Sequence, residues 1–597
     1  MNQMRKLNLV IVLLAGTMVF SGCNKLKKMV DLAKEQDLTI TPNPLELHGN
    51  EVKFEMSAVL PQKMLPSGMV YTLKTFYQYG TAKKDLDDLS FKADDFPNSS
   101  TTTSRLSNEY SFQYEEGMES GDLKVQGVAS DPRSGKTMET PDQPTVAVGL
   151  IMTSRLTQNV YETAEAGHGY NEGEELIATN IEFYFDKGRS ELKRSEQRSD
   201  RGSQFTAFIA EKNVTRTVTI TGTHSPEGAE RINSKLSQNR AERIEKWYRD
   251  NMRKYDYKGM ADSINFVLKP VVEDWGAFKA AMTDYDGIAM GAKVEIGRVI
   301  DGAGTFEDKE KSLQKMSLYS KLMKDIYPGL RTAKTEILTV KEKKSNAEIA
   351  VLAKQIAEST ITADSLSEEE LLFAGTLTPS LSEKEAIYKA ATKKNPSYAA
   401  HNNLGAVYIE MAKAASSDAD RTKYADQAVT QLDIAANKKQ GAEVLTNLAS
   451  AYLMQGNNDK AYETLTTAQG ASPSRSVTSK IKAMKGGLEI LQGDYDKAIQ
   501  TMAGANESAD LLFNRGLALL LKKENENAQS AFDDALDKDG NYAMAHYGKA
   551  ISYARQRSET EMITSLKAAV AANPDLKEKA VSDLEFNNFA NAVKSAL

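Results

Sequence analysis

The chain contains 597 residues, with 75 lysines and arginines against 82 aspartates and glutamates, a net charge of −7 and a single cysteine. One cysteine excludes a disulfide within the chain, and the interspersed charges form no basic stripe of the kind that nucleic-acid-binding proteins use. At about one domain per 100–200 residues, the length predicts three or four units, each large enough to bury a core.

The first residues have the pattern of an export signal. Arg5 and Lys6 precede an apolar run (9–20) that is too short to span a membrane as a helix. The motif Phe20-Ser-Gly-Cys23 resembles a bacterial lipobox, which implies cleavage after a signal peptide of residues 1–22 and lipid attachment at Cys23. The alternative is an ordinary secretory signal with an incidental cysteine. Lipidation consumes the only thiol and leaves none for nucleophilic catalysis or metal binding.

The residues that follow Cys23 predict where such a lipoprotein faces. Residues 24–28 are basic. Other features of the chain resemble lipoproteins of the Bacteroidetes group, in which an acidic run directly after the lipidated cysteine is associated with surface export, and no such run is present. We therefore expect a lipid anchor in the inner leaflet of the outer membrane, with the protein facing the periplasm.

Residues 23–160 have the pattern of a small β-sandwich. One strand alternates apolar with polar or charged residues, the apolar set being Val52, Phe54, Met56 and Ala58. Residues 98–107 predict a polar loop, residues 146–152 a buried strand and residues 161–175 a linker. No ligand is indicated, so the expected role is a spacer or a protein-contact module.

Residues 176–343 alternate strands and helices. The predicted elements are a strand over 181–185, a helix over 203–211, a strand over 218–222, a helix over 229–252 and a strand over 264–268.

The most specific motif of the chain lies between the second of these strands and the second helix. It reads Gly222-Thr-His-Ser-Pro-Glu-Gly228, then Asn233, Leu236-Ser237 and Arg240-Ala241. Its order and spacing resemble the ligand-binding segment of OmpA-like peptidoglycan-binding domains. The likeness covers about residues 181–339 and implies a βαβαβ fold. Shorter motifs add to it: Phe185-Asp-Lys-Gly188 resembles the opening strand and turn, and Glu273-Asp-Trp275 and Tyr327-Pro-Gly-Leu-Arg331 resemble a Bacteroidetes branch of the family.

The resemblance also implies a site for the zwitterionic end of a peptidoglycan peptide. The candidate residues are Thr223, Ser225, Glu227, Asn233 and Arg240. Arg240 matches the family arginine that binds the carboxylate of the diamino acid, whereas Ser225 stands where the family has the aspartate that binds its ammonium. A serine does not supply that charge; Glu227 supplies it if the loop folds towards the pocket.

A structural role is the alternative for the same residues. Ser225 followed by Pro226 is a good helix start, with an N-cap residue and then proline in the first turn. Asn233 and Arg240 then brace the helix against the loop. His224 does not indicate a metal, because the other four histidines lie far apart in the sequence.

Residues 370–597 repeat a helical hairpin and resemble tetratricopeptide repeats (TPR), which have a period of about 34 residues. Small residues recur where the two helices of a hairpin touch, and large ones recur where the next hairpin packs. The best-matching unit contains Leu448, Ala449, Tyr452, Gly456, Ala461, Leu465 and Ala468. Residues 576–586 are predicted to cap the array, since an end repeat must cover its apolar face.

Three asparagines, Asn403, Asn447 and Asn514, recur just before the small residue of a repeat. The inner helices of such arrays line a concave groove that binds peptides or proteins. A recurring asparagine therefore predicts a clamp on a partner's backbone. The alternative is a consensus residue of the exposed surface.

The expected fold class is thus multidomain: an N-terminal β-sandwich, a central α/β OmpA-like domain and a C-terminal all-α TPR solenoid. We expect a non-enzymatic lipoprotein scaffold that contacts peptidoglycan or a wall-associated partner and recruits proteins through the TPR groove. Similar domain sets in Bacteroidetes occur in secretion or outer-membrane assembly machinery. A mechanical tether between membrane and wall is the alternative, and a surface glycan-binding lipoprotein is a further one. The sequence has no nucleophile elbow, His-Glu-x-x-His or P-loop, so no enzyme, cofactor or metal is predicted.

Overall fold

The computed structural model describes residues 24–257, 263–271 and 275–597. The predicted signal peptide (1–22), the predicted lipid-attachment residue Cys23 and two motif residues, Glu273 and Asp274, lie outside the described residues.

The chain divides into two compact units. One combines the residues up to His168 with Ile349–Leu597, and the other is Gly169–Glu348. The sheet-rich N-terminal region and the helical C-terminal region thus belong to one unit. Within the described ranges, no helix has both the length and the apolar character needed to cross a membrane.

The N-terminal region contains two β-sheets. The strands are β1 (Asp37–Thr41), β2 (Leu45–His48), β3 (Glu51–Leu60), β4 (Val70–Tyr79), β5 (Ala82–Asp85), β6 (Leu89–Lys92), β7 (Ser104–Gln113), β8 (Asp122–Asp131), β9 (Lys136–Glu139), β10 (Thr145–Val148) and β11 (Leu150–Ile151). One sheet has the order β1-β3-β2-β11, with β7 on the other edge of β3. The second has the order β10-β8-β4-β5, with β6 on β4 and β9 on β8. A helix over 24–32 precedes β1.

The predicted alternation in β3 is confirmed, because the four residues of the predicted apolar set, Val52, Phe54, Met56 and Ala58, are all buried. Two boundaries differ from the prediction. The loop over 98–107 ends before β7, which begins at Ser104. The strand over 146–152 is divided into β10 and β11, because Gly149 between them adopts a φ of +67°.

The second unit is an α/β structure on one mixed sheet. Its strands are β12 (Leu176–Tyr184), β13 (Thr215–Gly222), β14 (Asn265–Pro270) and β15 (Thr332–Val340), in the order β12-β15-β13-β14. β13 and β14 are parallel, and β15 is antiparallel to both of its neighbours. β15 was not predicted from the sequence. Its inward face carries Thr335 and Thr339 beside Ala333 and Ile337, so its apolar alternation is weak.

The helices of this unit are Arg194–Gln197, Asp200–Ala210, Glu230–Lys254, Trp275–Asp284, Met290–Asp301, Phe306–Gln314 and Tyr319–Lys321, followed by a π turn (Leu322–Ile326) and a 3-10 turn (Tyr327–Leu330). The predicted helices and strands between 203 and 268 are confirmed to within a few residues. The long helix Glu230–Lys254 covers the sheet with Ala241, Ile244 and Tyr248, all fully buried. A second apolar cluster lies beyond the sheet, around Phe278 and Tyr327.

The C-terminal region is an array of helical hairpins. Its helices are Glu368–Ala374, Leu381–Lys394, Tyr398–Ala414, Asp418–Lys438, Ala442–Met454, Asn458–Gly470, Arg475–Gln492, Tyr495–Met502, Ala509–Leu521, Asn525–Lys538, Ala543–Arg555, Glu559–Ala572, Leu576–Ser582 and Ala590–Ala596, with a 3-10 turn (Leu584–Phe589) before the last. The boundary between the two units falls within a preceding helix, Asn346–Ala357.

The predicted division between small and large residues explains how the hairpins close. A Cβ added at Gly405 would lie 2.5 Å from the side chain of Leu432, and one added at Gly516 would lie 2.6 Å from Phe532. The small residues therefore let the two helices of a hairpin touch, and the large residue fills the space beside them. The predicted cap is confirmed, since Leu576 and the rest of its apolar set, Ala580 and Phe586, are buried.

The N-terminal sheets pack on the repeat array. His48 Nδ1 lies 2.8 Å from the Tyr495 hydroxyl. Gly49 has a φ of +63°, and a Cβ there would lie 2.6 Å from the Gln492 carbonyl oxygen, so this turn needs glycine for both its conformation and its close approach. The contact explains why the two regions form one unit.

Candidate functional site

An extended stretch of chain, residues 157–168, runs along the inner helices of the array. These helices are Tyr398–Ala414, Ala442–Met454, Arg475–Gln492 and Ala509–Leu521. The stretch, called here the groove segment, runs opposite to the order of the repeats: Gln158 contacts Asn514, and Ala166 contacts Asn403.

Three asparagine side chains each hold one residue of the groove segment through both backbone groups. The pairs are Asn514 with Gln158, Asn447 with Ala164, and Asn403 with Ala166. In the central pair, Asn447 Oδ1 accepts from the Ala164 N–H at 2.6 Å and its Nδ2 donates to the Ala164 carbonyl at 2.7 Å. The amide group thus substitutes for the N–H and C=O of a neighbouring β-strand.

Two further side chains complete this row. Ser450 Oγ accepts from the Glu162 N–H at 3.1 Å and donates to the Glu162 carbonyl at 2.5 Å. Asn402 Nδ2 donates to the Ala164 carbonyl at 3.0 Å, and its Oδ1 accepts from Asn447 at 2.9 Å. Every residue bonded in this way has an even number, as expected for an extended backbone, where alternate residues direct N–H and C=O to the same side.

The side chains of the groove segment divide by the same alternation. Val160, Ala164 and Ala166 are buried, whereas Asn159 and Glu165 are exposed. Val160 and Ala164 belong to the apolar core of the array. The groove therefore encloses small or medium apolar side chains at these positions.

Charged side chains of the array form hydrogen bonds with the middle of the groove segment. Lys480 Nζ donates to the Thr163 carbonyl, and Thr163 Oγ1 donates to Glu410 at 2.9 Å. Burial raises the pKa of Glu162; the Lys480 and Lys413 cations oppose this, and Glu410 adds to it.

The structure brings the three predicted groove asparagines into one row. Asn403, Asn447 and Asn514 are 2%, 0% and 0% exposed, so they are not the exposed consensus residues of the alternative interpretation. The backbone that they hold is the chain's own. Residues 161–168, taken from sequence as part of a linker, supply the ligands of Asn447 and Asn403. Gln158, taken from sequence as part of the β-sandwich region, supplies the ligand of Asn514.

The predicted site in the α/β unit is arranged differently from the expectation. Arg240 is 1% exposed and donates to three backbone carbonyls: to Thr223 at 2.6 Å, to Arg189 at 3.0 Å and to Asp186 at 3.2 Å. Burial lowers its pKa to about 10, with a further contribution from the Arg331 cation. Its hydrogen bonds brace the loops against the helix, as in the structural interpretation.

Three of the remaining candidates, Thr223, Ser225 and Glu227, lie around Leu330 and Arg331, which were predicted only as part of a motif. Arg331 Nε donates to Ser225 Oγ at 2.9 Å, and its terminal nitrogen donates to Glu227 Oε1 at 2.7 Å. Thr223 Oγ1 bonds to the carbonyl of Leu330 at 2.8 Å.

The interpretation of Ser225 as a helix N-cap is wrong. The helix begins at Glu230 and its N-cap residue is Ala229. The loop up to Gly228 stays non-helical because Gly228 adopts a φ of +105°, and Asn233 Nδ2 donates back to the Glu227 carbonyl at 3.3 Å.

A cavity of about 350 Å³ opens beside this loop. Its lining includes Lys187, Ser225, Glu227, Asn233 and Arg240. Glu227 Oε2 is buried and has no hydrogen-bond partner among the described residues. A buried carboxylate oxygen without a partner favours a cationic or hydrogen-bond-donating group in this cavity.

We expect Arg240→Lys to destabilise the α/β unit by about 3 kcal/mol, because a lysine cannot replace three hydrogen bonds to separate carbonyls. Thermal and urea unfolding of the full chain would measure this. Arg231→Lys, on the exposed face of the same helix, is the matched control and should change stability by less than about 0.5 kcal/mol. Equal effects of the two changes would show that Arg240 is not a brace.

The neighbouring Glu310 should make stability depend on pH. It accepts hydrogen bonds from Tyr319 at 2.6 Å and Tyr327 at 2.5 Å, and burial raises its pKa despite these bonds. A raised folded-state pKa gives a stabilising contribution that is complete below the unfolded value of about 4.3 and is lost as pH rises through the folded value.

We therefore expect Glu310→Gln to become more stable relative to the wild type as pH rises from 4 to 8. Urea unfolding at a series of pH values tests this, with exposed Glu295→Gln as the control for loss of a charge. A difference between Glu310→Gln and wild type that stays constant with pH would contradict the assignment.

Comparison with known proteins supports tetratricopeptide repeats in the C-terminal region. The family model for the tetratricopeptide repeat matches residues 515–576. No curated protein matches the chain. Among the described residues, no group of three or more His, Cys, Asp or Glu side chains is arranged to hold a metal ion.

Solved structures similar to this chain include two that are described as tetratricopeptide repeat proteins. A tetratricopeptide repeat protein from Parabacteroides merdae is 17% identical, with a TM-score of 0.28, over 38% of this chain and 97% of its own. YrrB, described as a TPR protein with an unusual peptide-binding site, is 18% identical, with a TM-score of 0.25, over 32% and 93%. PilF of Pseudomonas aeruginosa is 15% identical, with a TM-score of 0.29, over 42% and 100%.

Proposed function

We propose that this chain is a non-enzymatic scaffold of the cell envelope whose tetratricopeptide repeats organise protein contacts. The observation that carries the proposal is the row of buried amide side chains on the inner face of the array. These side chains hold an extended backbone through paired hydrogen bonds, which is a form of peptide recognition and not a catalytic arrangement.

The envelope location rests on the N-terminal sequence. A lipid on Cys23 would hold the chain in the outer membrane, and the basic residues that follow favour the side facing the periplasm. The domain set resembles that of accessory subunits of secretion or outer-membrane assembly complexes. This role is the one we propose for the scaffold.

The α/β unit is proposed to contact peptidoglycan or a wall-associated partner through the cavity beside residues 222–228. Glu227 lines this cavity and has one oxygen without a partner, so it suits the ammonium group of a diamino acid, the role that an aspartate has in OmpA-like domains. Arg240 does not supply the carboxylate grip, because its hydrogen bonds go to backbone carbonyls. A carboxylate would have to be bound by another group of the lining, such as Lys187.

Co-sedimentation with purified sacculi tests the wall contact. We expect the full chain from residue 24 onward to pellet, and Glu227→Gln to lose at least tenfold in affinity because the ammonium partner is neutralised. Glu242→Gln, exposed on the neighbouring helix, is the matched control, and unfolding curves confirm that each variant is folded. If wild type and Ser225→Asp both stay in solution, the wall contact is wrong, while the scaffold role of the array stands.

A further inference from the structure

The groove of the array is occupied by the chain itself. We infer that the groove segment is a built-in ligand of the repeats, and that a protein partner of this groove enters by presenting an extended strand of the same pattern and displacing the groove segment. The part about a partner rests on the proposed scaffold function, whereas the self-ligand stands on the geometry alone.

The hydrogen bonds distinguish a ligand from a connecting loop. A loop that merely crosses a surface leaves most of its backbone to water. Here Gln158, Glu162, Ala164 and Ala166 each have both N–H and C=O bonded by one side chain of the array. The bonding follows one edge of an extended strand, as in recognition by β-strand addition.

The repeats supply three of these four pairs of bonds from one recurrent position, and Ser450 supplies the fourth. Asn403, Asn447 and Asn514 each precede the small residue of an inner helix, and the corresponding position of the third repeat is Met484. Val160 lies in the same apolar cluster as Met484. The recurrent position therefore bonds to the backbone at three repeats and is apolar at the remaining one.

The enclosed side chains define what kind of partner fits. Ala164 and Ala166 are 4% and 6% exposed beside the amides that hold them, so a partner strand needs small residues two positions apart. Glu165 between them is exposed, so a partner strand can carry any side chain at this position. At the position of Glu162 the array binds the backbone N–H and C=O through Ser450, which places no requirement on the side chain. The expected partner sequence is thus small-x-small in an extended conformation.

Covalent attachment makes the groove segment a strong competitor. A segment on a short tether acts at an effective concentration on the order of 1 mM. If the same peptide bound in trans at about 10 μM, the groove would be free about 1% of the time, and the apparent affinity for an outside peptide would fall about 100-fold. Partner binding would therefore require either a better strand or release of the groove segment.

The test is performed on the full chain from residue 24 onward. The probe is a fluorescent peptide with the sequence of residues 156–168, and binding is followed by anisotropy. One variant, Ala164→Trp with Ala166→Trp, places side chains that the groove cannot enclose and should release the groove segment. The matched control, Glu165→Trp, puts the same side chain on the exposed face between them.

We expect the wild type and Glu165→Trp to bind the peptide about 100-fold more weakly than the double tryptophan variant. Adding Asn447→Ala to the double variant should weaken peptide binding at least tenfold, because the N–H at the position of Ala164 loses its partner and the carbonyl there keeps only Asn402. A peptide with leucines in place of both alanines should bind the opened chain no better than a scrambled peptide.

The opposite result overturns the inference: a double variant that melts like the wild type but does not bind the peptide, or a wild type that binds it as tightly as the double variant. If the double variant does not fold, single Ala166→Trp is measured in the same way against the same control. A third outcome separates the two claims. If the opened chain binds the peptide but no envelope protein competes for the groove, the self-ligand stands and the proposed scaffold function is contradicted.

Discussion

Asn447→Ala should free the middle of the groove segment at a cost of about 3 kcal/mol, since it leaves the buried N–H and C=O of Ala164 without their closest partner. This corresponds to roughly a 100-fold rise in the population of released segment. Cleavage by a glutamate-specific protease at Glu162 and Glu165 reports that population, because the backbone must leave the groove before it enters a protease site. We expect cleavage there to accelerate by about the same factor.

Asn437→Ala is the control for this experiment. Asn437 is an exposed residue of a helix in the same array. Its replacement should leave the cleavage rate unchanged and should change the free energy of unfolding by less than about 0.5 kcal/mol. If Asn447→Ala and Asn437→Ala are cleaved at the same rate as the wild type, the asparagine row does not hold the segment.

Phe532→Ala should have the largest effect on the array itself, a loss of about 4 kcal/mol in the free energy of unfolding. Phe532 is fully buried, and its ring fills the space left by two glycines of neighbouring inner helices, Gly516 and Gly548. It also packs on Phe513, with ring centroids 5.5 Å apart. Removing the ring leaves a cavity that two residues without side chains cannot refill.

Phe532→Leu is the graded control, because it keeps most of the apolar volume and should cost about 1.5 kcal/mol. Urea unfolding of the full chain, followed by the circular dichroism of its helices, measures both variants. Equal losses for alanine and leucine would show that the cost arises from the aromatic ring contacts and not from the cavity.

The core of the repeats was predictable from sequence because it depends on local periodicity. The small and large residues of each hairpin recur at fixed distances along the chain, and the structure buries them as expected, from Ala461 and Leu465 in one repeat to Phe532 in another. The recurring asparagines were also visible. Their partner was not, because the groove segment lies 237–356 residues away in sequence and has the glycine, alanine and glutamate content of a linker.

The α/β site shows a second limit of sequence reasoning. A motif gives the positions of candidate residues, but it does not tell where a side chain directs its hydrogen bonds. The sequence left a ligand contact and a structural brace open for Arg240, and the fold places its hydrogen bonds on backbone carbonyls. Arg331, which bonds to Ser225 and Glu227, directly precedes β15 and is positioned by it. That strand was not predicted, so the partnership was not visible before the fold was known.

Residue-resolved hydrogen–deuterium exchange of the full chain tests the central claim most directly, namely that the repeats hold the groove segment as a strand. We expect the amides of Gln158, Glu162, Ala164 and Ala166 to exchange at least 100-fold more slowly than the amide of Glu165, for which the described residues offer no hydrogen-bond partner. Asn447→Ala should abolish the protection at Ala164. Exchange of all these amides at the rate of an unfolded peptide would contradict the account.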